Sequence, residues 1–325
     1  MPDTQHYHHA RLAALFRGEA LDRPFSLRRI DQNPFLDATQ EGFDAWLATT
    51  RQSLEQHAEW FDHETTYHPA VVEFWPLGVH FVDAVLGARV YRHDDQYWTE
   101  LLPGDLAELR PVDVPASPLV SWSLAMLGQA LGALPEGVAL TTPVFSSPLN
   151  TAVNLFGERA LSALAAPTAD TLRGLRVITD TIVQLHLLFR CSFPEDRVRF
   201  YASSFRYAPD GFGHICGCST QLVGPDTYAR YLAPLDEAIL ASYPEGGTIH
   251  LCGRHTHHIP CWRDMRCVRG LEMNDAAADD FPSYFEGLRE DQVIYIAPNP
   301  RIPVERILEI SGGRRVILQT LMSPT

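Results

Sequence analysis

The densest group of metal-ligating side chains in the 325-residue sequence is His250-Leu251-Cys252-Gly253-Arg254-His255-Thr256-His257-His258. It begins at the end of an apolar run, Thr248 to Cys252, that reads as a strand. Side chains alternate along a strand, so His250 and Cys252 share one face with β-carbons about 7 Å apart, within reach of one ion. At the C-terminal end of a parallel-barrel strand, that face is the catalytic rim. Cys216-Gly217-Cys218 ends the preceding expected strand, with His214 two residues earlier. Consecutive strand–helix units are neighbours in a parallel barrel, so the two groups meet. His250, Cys252 and one or both of Cys216 and Cys218 then supply the three or four N/S ligands that zinc takes. Cys-x-Cys is too tight for a common structural zinc knuckle, so the spacing predicts an open, catalytic site. The alternative for Cys216 and Cys218 is packing as small hydrophobes, a common fate of free cysteine.

A second group is charged. Arg28 and Arg29 end the first expected strand, where they offer bidentate pairing to substrate carboxylates. Asp31 follows that strand, Glu73 lies within the next, and Asp275 follows Met273-Asn274, all near rim positions. Arg29, Asp31 and Glu73 are the candidate catalytic residues on this side. No Gly-x-Ser-x-Gly elbow, Gly-x-Gly-x-x-Gly turn or His-Glu-x-x-His helix is present.

These residues need a scaffold, and the apolar patterning outlines one. Helices are expected over the first 23 residues, ending near Gly18, over Gly42–Phe61, and over the strongly apolar Ala169–Phe189. Strands are expected at Phe25–Ile30, Ala70–Trp75 and Val138–Phe145, with a mixed insertion from Gly78 to about Pro118. The second half alternates strands (Gly213–Cys218, Thr248–Cys252, Gly270–Met273, Val293–Ala297, Arg315–Leu321) with helices (Pro225–Tyr243, Ala276–Leu288, Val304–Ile310). Pro225 suits a first helical turn. Such alternation argues for a parallel sheet, and about eight strands without an early Gly-rich phosphate turn favour a closed barrel. The expected architecture is a single (β/α)8 TIM barrel spanning residues 1–325, with an insertion after the second strand.

Composition narrows the chemistry. All 26 basic residues are arginine, which excludes Schiff-base, P-loop and protein-kinase chemistry that depends on lysine. The net charge of −14 argues against a nucleic-acid partner. No stretch approaches the ~18 apolar residues of a membrane span. The polar N-terminus reads as a helix rather than a signal peptide, so the expected compartment is the cytoplasm, where the six cysteines stay reduced.

Four segments carry a resemblance to the uroporphyrinogen decarboxylase superfamily, which includes cobalamin-dependent methyltransferases. They are Asp22-Arg23-Pro24-Phe25 leading into Arg28-Arg29, Ser147-Pro148-Leu149, the helix from Gly224-Pro225 to Pro234-Leu235, and His250-Leu251-Cys252-Gly253. Their order spans nearly the whole chain and implies a single (β/α)8 barrel. The decarboxylases hold tetrapyrrole carboxylates with a "MRQAGR" segment; here the stretch reads Arg28-Arg29-Ile30-Asp31-Gln32-Asn33, and Arg29 alone matches an arginine. The methyltransferase branch binds zinc through His-x-Cys plus a cysteine near the last strand. His250 and Cys252 match the pair, while Arg315–Leu321 offers no cysteine, leaving Cys218 or Cys216 to replace it. The resemblance implies zinc-dependent activation of a small-molecule thiol for methyl transfer from cobalamin, often on a separate corrinoid protein. Two alternatives stand beside it: a metal-independent decarboxylase or lyase of a polycarboxylate, clamped by Arg28 and Arg29, and a non-catalytic binder of metal or thiol ligands.

Overall fold

The computed structural model of the protein describes residues 3–29, 35–201 and 203–320. Two parallel sheets, of six and three strands, carry the fold. In chain order the strands are β1 Phe25–Arg28, β2 Val71–Val72, β3 Ala139–Thr141, β4 Val198–Arg199 and β5 Gly213–Cys216, then β6 Gly247–Leu251, β7 Val268–Met273, β8 Val293–Ile296 and β9 Val316–Thr320. The larger sheet runs β1-β9-β8-β7-β6-β5 and the smaller β2-β3-β4. Every residue of β5, β6 and β8 is buried, as expected of parallel strands covered on both faces.

The expected single closed barrel sheet is therefore replaced, among the described residues, by two arcs. At one seam Leu27 bridges Tyr67, with Arg28 N donating to Tyr67 O at 2.8 Å. At the other Ser146 bridges Cys216, and Ser147 N donates to Cys216 O at 2.9 Å. The seams are thin because the strands of the smaller arc are short. Within the expected strand Ala70–Trp75 the pairing with β3 stops at Val71–Val72, since Phe74 N donates to the Thr141 hydroxyl at 3.0 Å instead of to a ladder carbonyl. Trp75–Pro76 then pairs with Phe35–Leu36 in a sheet of its own. Likewise Val138–Phe145 narrows to Ala139–Thr141, where Pro143, which has no N–H, prevents extension.

The helices are set by local signals. The Thr168 hydroxyl caps helix Ala169–Ser192 by accepting from Thr171 N at 3.1 Å, and Leu175, Ile178, Ile182, Leu185 and Phe189 recur at helical spacing on its buried face. Ser147 caps Pro148–Phe156, with Pro148 in the first turn where its missing N–H costs nothing. The region after β2 carries an antiparallel hairpin, Val90–His93 with Gln96–Thr99, turned by Asp94 and Asp95 at φ 48° and 56°. Both central residues of that tight turn occupy the left-handed region, which matches the twist of a hairpin.

Candidate metal centre

β6 is paired in parallel with β5 on one side and β7 on the other, and the register sets His250 beside Cys216 and beside Glu272. Cys252 lies one residue past β6. Cys218 opens a short 3-10 turn, Cys218–Leu222, two residues past β5. Gly217, between the two cysteines, makes that return possible. Its N–H donates to His250 O at 2.8 Å, and a β-carbon there would stand 2.8 Å from Ile249 Cγ2. A side chain would push the Cys218 loop off β6.

The result is a compact donor set. Cys218 Sγ and Cys252 Sγ are 3.1 Å apart, and His250 Nε2 is 3.1 Å from Cys252 Sγ. These three ligand atoms all lie within 4.8 Å of one another and could hold a metal ion. Three loop imidazoles pin the surrounding backbone instead of joining the set. His255 Nδ1 is 3.0 Å from the Thr220 hydroxyl, His258 Nε2 donates to Thr220 O at 2.9 Å, and His257 Nε2 donates to Val223 O at 3.2 Å. They anchor the turn that begins at Cys218.

Behind His250 stands a buried ionic network that the sequence did not single out. Glu272 Oε2 accepts from His250 Nδ1 and from Arg206 Nε, while Glu272 Oε1 accepts from Gln319 Nε2 at 3.0 Å. The His250–Glu272 bond orients the imidazole so that Nε2 faces the sulfurs, 3.1 Å from Cys252 Sγ. Carboxylate-to-imidazole bonding of this kind fixes the tautomer and orientation of a metal-ligating histidine. Burial alone would push the Glu272 carboxyl up, but Arg206 and His250 outweigh it and hold the group well below the usual carboxylate range. His250 is disfavoured as a cation by burial and by Arg206, yet Glu272 and Cys252 raise it above its ordinary value.

The two sulfurs are hydrogen-bonded to one another, Cys218 donating to Cys252. The hydrogen bond from Cys218, helped by His250, brings the Cys252 thiol down to about 5 against the burial that opposes it. Donating that bond, and being buried, pushes Cys218 far up. Two half-buried cysteine sulfurs and an oriented imidazole make a soft S/S/N set of the type that selects zinc over magnesium or calcium.

The remaining candidates fall around this set. Cys216 occupies the same row as His250 but is not among the three clustered donors. It is buried against Val144 and Trp75, its Sγ is 3.7 Å from His214 Nε2, and burial pushes its thiol up to about 11. Glu73 is buried just past β2, where Oε1 accepts from the Ser203 hydroxyl at 2.6 Å and Oε2 lies 3.9 Å from Arg29 Nη1. The Arg29 guanidinium lies 4.9 Å from the centre of the Phe205 ring, whereas that of Arg28 lies 5.8 Å from Trp60. Phe205 precedes Arg206, so the Arg29–Glu73 pair borders the ionic network. Asp31 lies outside the described residues.

Asn150 also escaped the sequence reading. Its side-chain oxygen accepts from Ser219 N at 2.8 Å, tying the helix opened by Ser147-Pro148 to the residue after Cys218. A helix-capping signal marks where that helix starts, but no spacing rule joins it to a loop 69 residues away.

No protein-family model matches the chain, and no curated protein matches it in sequence. Among solved structures, the fold is similar to that of a methyltransferase from Methanosarcina mazei, with a TM-score of 0.66 over 98% of this chain and 94% of that chain at 13% sequence identity. At that identity the likeness is one of fold. It places the mixed α/β architecture of parallel sheet and helices beside that of a known methyltransferase over almost the full length. Among the described residues, no helix is long and apolar enough to cross a membrane.

Proposed function

We propose that the chain is a zinc-dependent, methyltransferase-like enzyme of the uroporphyrinogen decarboxylase superfamily. It activates a thiol substrate for methyl transfer, with a corrinoid as methyl donor. The observation that carries this reading is the convergence of Cys218, His250 and Cys252 within 4.8 Å, at the ends of neighbouring parallel strands. The likeness of fold to a methyltransferase and the ordered sequence segments support it. The two sheets are then the arcs of a single (β/α)8-type barrel domain, joined at the Leu27–Tyr67 and Ser146–Cys216 bridges.

In this reading His250, Cys252 and Cys218 hold zinc. Bound there, zinc lowers the pKa of a coordinated substrate thiol and presents it as a nucleophile. The chain's own residues do the rest. Glu272 keeps the proton of His250 on Nδ1, so Nε2 stays available as a ligand. Arg206 balances the Glu272 charge in a site where an unpaired carboxylate would be costly. Cys218 and Cys252 would both bind zinc as thiolates, so loading would release the Cys218 proton. Cys216, buried and protonated, stays beside His250 in the register without joining the ligands.

The polycarboxylate alternative requires Arg28 and Arg29 to close on one substrate group, and the two guanidiniums stack on different rings, Trp60 and Phe205. Incubation of zinc-loaded protein with methylcobalamin and a panel of small thiols tests the proposal. S-methylated product that disappears in Cys252→Ala is expected. Absence of product from every thiol, together with metal-independent release of carbon dioxide from a polycarboxylate, would overturn it.

A further inference from the structure

The 3.1 Å between Cys218 Sγ and Cys252 Sγ is shorter than a metal site needs. Two sulfurs bound about 2.3 Å from a tetrahedral ion stand about 3.8 Å apart, whereas a disulfide bond is about 2.05 Å. The two sulfurs thus lie closer together than the ligand spacing. Neither sulfur sits inside a strand: Cys252 follows β6 and Cys218 opens the turn after β5. Closing the remaining gap of about 1 Å falls on two loop ends rather than on a ladder. Both side chains are half-buried, so a small oxidant reaches them, while Cys216 is buried and turned to His214.

We propose that Cys218 and Cys252 form a reversible disulfide in the metal-free protein, so that the ligand pair is also a redox modification site. Cross-link and bound ion exclude one another. That exclusion rests on the metal reading above; the cross-link itself does not.

With a peroxide as oxidant the chemistry balances. The Cys252 sulfur attacks one peroxide oxygen, the O–O bond breaks, and the departing hydroxide is protonated to water. The Cys218 sulfur then attacks the sulfenic acid on Cys252. The S–S bond forms as the second hydroxide leaves and takes up the Cys218 proton. Two thiols lose two electrons and two protons, and one peroxide becomes two waters. A dithiol reverses the step by thiol–disulfide exchange.

Chelator-treated, full-length protein exposed to hydrogen peroxide, alkylated and mapped by mass spectrometry tests this. Loss of two of the six alkylatable cysteines is expected, with a linked peptide pair holding Cys218 and Cys252 that dithiothreitol separates. Zinc added before peroxide should suppress the link. Cys218→Ser should leave a Cys252 sulfenic acid that dimedone traps, and Cys216→Ser should leave the cross-link intact. Oxidation of Cys252 without a link to Cys218, or a link running to Cys216, would overturn the proposal. A link that forms in protein that never binds zinc would sink the metal reading and leave the disulfide standing. Zinc binding without a link would do the reverse.

Discussion

In the larger arc, β6 is paired with β7 over five residues and with β5 over four, and Cys216, His250 and Glu272 consequently share one row. In the smaller arc, β2 meets β3 over two residues only, and Glu73, one position beyond β2, is held by the Ser203 hydroxyl and by Arg29. Long registers place donor atoms to within the tolerance a metal ion demands, because a one-residue slip would turn every side chain to the other face. A carboxylate–guanidinium pair at 3.9 Å tolerates looser support. The soft-ligand set and its ionic support therefore sit on the stiff arc, and the Glu73 carboxylate on the short-stranded one.

The largest test of that contrast is Glu272→Ala. Glu272 is 5% exposed and pairs with the largely buried Arg206, so its removal should cost about 3–5 kcal/mol in a denaturant titration. The same variant should weaken zinc about 10–100-fold in a chelator competition, since His250 loses its orienting partner. Glu73→Gln, on the other arc, should leave zinc affinity unchanged. Equal losses of zinc affinity in both would erase the distinction between the arcs.

Next in size is a pH effect of the scaffold behind the larger arc. Burial pushes the Asp236 carboxyl up from 3.8 to about 7, with the Tyr228 hydroxyl donating to it at 2.8 Å. Between those values the folded state keeps a proton that the unfolded chain has released. The Asp236 contribution to stability should therefore be fully present below about pH 4 and fall by roughly 4 kcal/mol as pH rises to about 7. Asp236→Asn should remove that component of the slope, as read by thermal melts across the range. A slope that survives the substitution would place its origin in another group.

Much of the larger arc was legible in the sequence. His-x-Cys at a strand end, Cys-x-Cys at the preceding one and the alternation of apolar strands with helices all follow from local period and spacing. Glu272 was not legible, because an acid inside Val268–Met273 reads as one more polar interruption until the register sets it beside His250. Asp275, nearer the expected rim, drew attention instead. Arg206 and Gln319 were invisible for the same reason: their roles are long-range pairings with Glu272, 66 and 47 residues away. The smaller arc was over-read, since the β-branched and aromatic run at Ala70–Trp75 predicts a strand whose ladder Pro76 and the Phe74–Thr141 hydrogen bond cut short. Val198–Arg199 is too short for any periodicity to register.

Two smaller effects sharpen the comparison. Asn150→Ala removes the acceptor of two hydrogen bonds, from Ser219 N at 2.8 Å and from the Ser147 hydroxyl at 3.3 Å, and should cost about 1 kcal/mol, or about fivefold in zinc affinity through a loosened Cys218. Arg29→Ala should change stability by less than about 1 kcal/mol, because the side chain is 29% exposed. It should raise KM for an anionic substrate while zinc content stays the same; an unchanged KM would remove Arg29 from the binding surface.

Zinc K-edge X-ray absorption on protein purified without a histidine tag is the most direct test of the central claim. The account predicts one equivalent of zinc with two sulfurs at about 2.3 Å and one imidazole nitrogen at about 2.0–2.1 Å, and loss of that sphere in the His250→Ala/Cys252→Ala double variant. Protein that binds no zinc, or binds it through oxygen and nitrogen without sulfur, would contradict it.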